Sequence, residues 1–193
     1  MIRILTLNID ALPEACAQCY KVLPSWDLVK RVVKQGHLAV LRHGFATVHI
    51  TEISRVAGRQ ILRKAHADYL EMSQRYVDVG ETPFELPESY MNLPLPIQDM
   101  VASHLDLSKE IYKKLRDQGL TKQDARYILP QAIGTEIVMS GNLQMWWGFF
   151  NLRIDTRVQA EVRAVAINIL AQFTERCDLF QIHPKWSNNH EQK

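Results

Sequence analysis

Two short stretches concentrate the groups in this chain most able to do chemistry. Arg59-Gln60-Ile61-Leu62-Arg63-Lys64-Ala65 is followed by Glu71-Met72-Ser73-Gln74-Arg75-Tyr76. Arg63, Ser73 and Arg75 supply guanidinium and hydroxyl donors suited to a phosphate dianion, and arginine can grip such an anion in bidentate fashion. Glu71 sits among them. The plainer reading of the same residues is a solvated helix face laced with ion pairs, and composition alone does not choose between the two.

Three other groupings invite a chemical reading, and each has a simpler one. Cys16-Ala17-Gln18-Cys19 has redox or zinc spacing but lacks a second ligand pair, so buried, inert thiols are expected, with Cys177 as the third. His66 and Asp68 suggest a metal pair, yet residues two apart do not share a helix face. Trp146, Trp147, Phe149 and Phe150 could stack on a planar ring. At helical spacing beside Leu152 they read instead as core or subunit interface.

The elements that must position these residues follow from periodicity. Arg3 to Ile9 and Phe45 to Ile50 alternate and are rich in branched and aromatic residues, which predicts strands, with helical sequence between them. Ser54 to Tyr69 places Val56, Ala57, Ile61, Leu62 and Ala65 at helical spacing, predicting one helix with Arg59 and Arg63 on its other face. Val79 to Pro96 holds four prolines and predicts an irregular loop. Ser108 to Leu115 reads as a helix stopped by Gly119. Thr121 opens the next helix, with Asp124 in its first turn and Pro130 ending it. Asn142 to Leu152 predicts an apolar helix. Thr156-Arg157-Val158-Gln159 has capping-box form and opens a helix burying Val158, Val162, Val165, Ile169 and Phe173. A polar tail occupies 183–193, after one domain over 1–182.

Bulk properties narrow the class. The chain has 193 residues, 47% hydrophobic and 23% charged, which suits one ordinary globular domain. A net charge of +2 is too small for bulk attraction to nucleic acid or a membrane, so an anionic partner must be held by a few placed arginines. With no secretory start and no long apolar run, a cytoplasmic location is expected.

The arginine-rich region resembles the signature of the flavin-dependent thymidylate synthases (ThyX), R-Q-x-x-R-H-R-x-x-x-x-N-E-x-S-x-R-Y. Arg59, Gln60, Arg63, Glu71, Ser73, Arg75 and Tyr76 fall on matching positions without a gap. His37 to His43 followed by Phe45 is similar to the family's H-x-x-x-L-E-H-x-x-F element. Arg126 to Pro130 is similar to R-x-V-L-P, and Asn142 with Leu152 to Asp155 and Gln159 to Arg163 resembles its C-terminal block. The resemblance implies an α/β (α+β) subunit with a central, mostly antiparallel sheet flanked by helices. It further implies a homotetramer with active sites at subunit junctions, binding dUMP, FAD and methylenetetrahydrofolate. Gln60, Arg63, Glu71, Ser73, Arg75, Arg126 and Arg153 then surround dUMP. Ser73 and Arg75 hold its phosphate and Arg153 meets the pyrimidine ring. Arg153, Ser73 and Arg63 carry the catalytic expectation: carbon 5 of uracil becomes nucleophilic when negative charge spreads into the ring, and a nearby cation stabilises that charge.

Departures from the pattern gather on the cofactor side. Lys64 and Ala65 replace the histidine and second arginine of R-H-R, Leu70 replaces an asparagine, Arg42 replaces the glutamate of L-E-H, and Gln144 replaces the arginine of N-x-R. His37 and Asn142 remain at positions near the flavin, and Lys64 offers a substitute positive charge, so His37, Lys64 and Asn142 are the cofactor candidates while FAD itself is in doubt. Three outcomes stay open: methyl transfer giving dTMP, flavin-free hydroxymethyl transfer giving 5-hydroxymethyl-dUMP, and a silent nucleotide-binding protein.

Overall fold

The computed structural model describes residues 1–186, so Asn188, Asn189 and Glu191 of the expected tail lie outside the described residues. Strand β1 (Ile2–Asn8) pairs antiparallel with β2 (Phe45–Ser54), setting Ile2 opposite Ile50 and Asn8 opposite Phe45. Alternation on β2 sends Ala46, Val48 and Ile50 fully inside, as a half-buried strand requires. Two strands that the periodicity did not announce, β3 (Asp68–Glu71) and β4 (Gly134–Asn142), complete a four-stranded antiparallel sheet in the order β1-β2-β4-β3. On β4 the apolar Ile137 and Met139 are buried, but Gly134, Glu136, Ser140 and Gly141 dilute the pattern.

The chain divides into two compact units. The first comprises Met1–Ile50, Leu62–Leu70 and the chain from Val138 onward; the second comprises Thr51–Ile61 and Glu71–Ile137.

In the first unit, α1 (Ala11–Tyr20) packs on α2 (Trp26–Lys34), while α6 (Leu143–Arg153) packs on α7 (Ala160–Arg176). Ser25 caps α2 by accepting from the Leu28 N–H at 3.2 Å, and Asn142 caps α6 by accepting from the Met145 N–H at 2.8 Å. The aromatic run of α6 is core: Trp146, Phe149 and Phe150 are fully buried and Trp147 nearly so. Trp146 stands edge-on to Phe149 and Phe173 at 5.6 and 5.4 Å, and its indole N–H donates to the Ala46 carbonyl at 3.2 Å. These rings are consumed within the unit, which removes Trp146 and Trp147 as an assembly surface. His183, placed at the start of the expected tail, is fully buried against Trp147, with ring centroids 4.3 Å apart.

Two helices differ from the expected bounds. The helix predicted over Ser54 to Tyr69 is only α3 (Arg55–Ile61); His66 then takes a left-handed backbone, φ 63°, and the chain re-emerges as β3. Lys64, Ala65 and His66 therefore lie on turns, and the helix-face argument about His66 and Asp68 does not apply. Thr156 does not cap α7 either, because Asp155 captures the backbone N–H and the guanidinium of Arg157 at 3.0 and 2.9 Å and makes 155–158 a turn, leaving Gln159 as the preceding residue.

In the second unit, α4 (Leu95–Asp117) begins well before the expected Ser108, with Pro96 in its first turn rather than in the loop. Gly119 follows it with φ 88°, the left-handed stop that glycine allows. Next come α5 (Lys122–Ala125) and a 3-10 turn, Arg126–Ile128. Val79, Tyr112 and Ala125 form a small core with Met72, Leu115 and Leu129 packed around it. Among the described residues no helix is long and apolar enough to cross a membrane.

Candidate functional site

Unit one holds a cavity of about 600 Å³ lined by Arg42, Lys64, His66, Asn142, Gln144 and Met145. The 3-10 helix Leu38–His43 delivers Arg42, the turn after α3 delivers Lys64 and His66, and the start of α6 delivers the rest. Among the described residues no carboxylate lines it. Arg42 Nε donates to Gln144 Oε1 at 2.5 Å, so two positions read from sequence as separate losses face each other. The guanidinium is held by a neutral amide and keeps its full charge available to a ligand.

Lys64 lies where α6 leaves room: a Cβ on Gly148 would stand 3.3 Å from Lys64 Nζ. Burial lowers the Lys64 pKa, and the Arg153 guanidinium lowers it further. Tyr69 closes the turn, its hydroxyl donating to the Lys64 carbonyl at 2.8 Å, and burial pushes that phenol up to about 12. It remains a neutral donor at physiological pH. Like charges crowded around Lys64 and Arg153 make this an anion-seeking region. Arg63 is exposed on the same turn.

His37 is not brought to this cavity. It is exposed and lines a separate, smaller one of about 280 Å³ with Cys16, Cys19, Tyr20, Val40 and His43. The expected cofactor trio is thus split, with Lys64 and Asn142 together and His37 apart. Cys16 and Cys177 are buried with thiol pKa values raised chiefly by that burial, whereas Cys19 is exposed, against expectation. Among the described residues no group of His, Cys, Asp and Glu could hold a metal ion.

Unit two carries the rest. Glu71, at the end of β3, accepts from the Thr135 hydroxyl at 3.1 Å and pairs with Arg55 at 3.6 Å. A tight turn follows, in which the Ser73 carbonyl accepts from the Tyr76 and Val77 N–H groups and Ser73 Oγ accepts from the Arg75 N–H at 3.3 Å. Ser73 and Arg75 are both exposed. Arg75 lies over the Tyr76 ring, 5.6 Å from its centroid, and forms no ion pair among the described residues. Arg126 is half-buried, its Nε donating to the Gln123 carbonyl at 3.2 Å, and Gln60 is half-buried on α3.

Sequence reasoning missed Arg55, Tyr69 and Met145. Tyr69 was legible in principle as the inward residue of an alternating strand. Arg55 was not, because nothing in spacing predicts its meeting with Glu71.

A family model described as thymidylate synthase complementing protein matches residues 8–177. A flavin-dependent thymidylate synthase of Pyrococcus furiosus is 35% identical over 162 residues, covering 81% of this chain and 65% of its own length. Proteins of the same name from Saccharolobus solfataricus and Mycobacterium avium are 31% and 30% identical over 160 and 181 residues, covering 81% and 83% of this chain. The chain spans 58% of the length of the first of these two and 72% of the second. With the match running through β2, the Ser73–Arg75 turn and α7, the chain belongs to the thymidylate synthase complementing protein family.

Proposed function

We propose that the chain transfers a one-carbon unit from methylenetetrahydrofolate to C5 of dUMP, forming dTMP with reduced FAD as cofactor. The observation that carries this reading is the Ser73–Arg75 turn, an exposed hydroxyl and an exposed guanidinium with no carboxylate paired to the latter. A phosphate dianion satisfies both. Arg126 and Gln60 supply further polar contact, and Glu71, already fixed by Arg55 and Thr135, orients the strand end from which the turn departs.

Arg153 is assigned to the pyrimidine ring. Its field already acts on Lys64 and Tyr69, and beside uracil it would stabilise the negative charge that makes C5 nucleophilic. Arg63, on the neighbouring turn, adds to the same potential. No protein nucleophile is needed, and the buried Cys16 and Cys177 are ill-suited to be one.

The flavin reading rests on the cavity of unit one. Its donor set suits an anionic, phosphate-bearing cofactor, since Arg42 and Lys64 line it with no acid among the described residues of its walls. The transposed Arg42–Gln144 pair returns a cation that Gln144 alone had removed. Arg42, Lys64 and Asn142 would hold FAD, which supplies the reducing equivalents that convert a transferred methylene into a methyl group. His37 would contribute from a second copy, in keeping with the homotetramer that the family resemblance implies.

The test is mass analysis of the nucleotide after incubation with dUMP and methylenetetrahydrofolate, with and without FAD and NADPH. dTMP formed only when both FAD and NADPH are present is the expected result. A flavin-independent hydroxymethyl product overturns the cofactor assignment, and no product under any condition overturns the catalytic one.

A further inference from the structure

The peptide group between Tyr76 and Val77 is held at both ends. Its N–H donates to the Ser73 carbonyl at 2.9 Å, and its oxygen accepts from Lys122 Nζ, also at 2.9 Å, across 46 positions of sequence. Lys122 is half-buried and opens α5, whose Ala125 is fully buried in the small core of unit two. Met72, the residue before the turn, packs against that same core and donates its N–H to the Glu136 carbonyl at 2.9 Å. Gln74 is buried as well, so the turn shows Ser73 and Arg75 to the outside with Gln74 turned in.

We propose that Lys122 is a positioning residue for the nucleotide phosphate, acting on Ser73 and Arg75 through the Tyr76–Val77 peptide. The inference rests on the reading of that turn as the phosphate site and adds a residue to it. An ammonium on a peptide oxygen polarises the whole group and strengthens the bond its N–H makes on the other side. Here that bond ends on Ser73, whose hydroxyl is one of the two phosphate donors, and Arg75 lies between the clamped positions. Without the cation the turn keeps its internal bonds but loses its tether to α5.

The charge of Lys122 is also free to act. An ammonium has three hydrogens, of which this carbonyl takes one, and Lys122 forms no ion pair among the described residues. Its field reaches Asp78, but that carboxylate is already engaged by the Gly80 N–H at 3.0 Å and by Arg116 at 3.6 Å. One short segment, 122–126, thus supplies Lys122 to hold the turn and Arg126 to meet the ligand.

The experiment is calorimetry of the full chain with dUMP and with deoxyuridine, which lacks the phosphate. Lys122→Met should weaken dUMP roughly 10-fold, the loss of one charge-assisted bond, and leave deoxyuridine within about twofold. Lys122→Arg, which still donates to the carbonyl, should restore most of the dUMP affinity. Lys109→Met removes a cation that lies over the Phe84 ring elsewhere in unit two, and should leave both ligands unchanged. Equal dUMP affinity in wild type and Lys122→Met, with Arg75→Ala still weakened, overturns this inference and leaves the nucleotide reading standing. An equal loss for dUMP and deoxyuridine makes Lys122 a general support of the fold and also overturns it. A wild type that binds no dUMP overturns both readings together.

Discussion

Arg42 and Gln144 stand 102 positions apart in sequence and meet side chain to side chain, guanidinium Nε to amide Oε1, at the wall of one cavity. In the family pattern the acid stands at the first position and the cation at the second. Here the cation stands at the first and a neutral acceptor at the second. Two apparent losses are therefore one rearrangement, which moves a positive charge across the cavity without removing it.

This relationship predicts the flavin response of variants. A charge-assisted contact is worth about 1.5 to 3 kcal/mol, so Arg42→Ala should weaken FAD binding roughly 10- to 100-fold in a fluorescence titration. The double variant Arg42→Glu with Gln144→Arg should bind within about threefold of the wild type. An Arg42→Ala affinity equal to wild type would show that the guanidinium serves only Gln144.

Nucleotide binding is predicted to depend on the Ser73–Arg75 turn. Calorimetry with dUMP, dCMP and UMP should find at least one ligand, and Arg75→Ala should weaken it by roughly 2 to 5 kcal/mol if the guanidinium meets a desolvated phosphate. A change under about 0.5 kcal/mol removes Arg75 from the site. Because Arg75 is exposed, with its guanidinium over the Tyr76 ring and in no ion pair among the described residues, thermal stability should stay nearly constant.

Much of this architecture was legible because burial imposes periodicity. β1, β2, α6 and the buried stripe of α7 all followed from alternation or helical spacing. The failures share a cause: where a segment is short or its pattern serves a ligand, periodicity misleads. Arg59 to Arg63 looked continuous with Lys64 to Tyr69 because Leu62 and Ala65 kept helical spacing with Ile61, yet Ile61 ends the helix and Ala65 is exposed. β4 escaped notice because its glycines and Glu136 interrupt the apolar alternation. Likewise the Arg42–Gln144 and Arg55–Glu71 encounters depend on tertiary placement, which no local pattern encodes.

Asn142 has a structural duty separate from any cofactor. Its side chain accepts from the Met145 N–H, so Asn142→Ala should cost about 1 kcal/mol in urea unfolding, whereas Asn142→Ser or Asn142→Asp should retain most of that stability. If all three variants unfold at the wild-type urea concentration while FAD affinity falls, Asn142 contributes to the ligand alone.

His183 should make the protein acid-sensitive in a defined window. The ring is fully buried, its Nε2 lies 3.1 Å from the Trp147 carbonyl, and its Nδ1 accepts from the Lys185 N–H at 3.1 Å. Those contacts require the neutral form with the proton on Nε2. A second proton would have to sit on Nδ1, facing a donor, and burial lowers the pKa to about 4 from an ordinary 6.5. The unfolded chain therefore binds a proton as pH falls below about 6.5 while the folded chain does not, so stability is lost progressively from there down to about pH 4. At one pKa unit per about 1.4 kcal/mol, the full loss from this residue is about 3 kcal/mol. Urea unfolding at pH 7.5 and pH 5 should show this loss growing on acidification, and His183→Gln, which keeps a polar side chain but cannot titrate there, should flatten it. An unchanged pH slope in His183→Gln would assign the acid sensitivity to other groups.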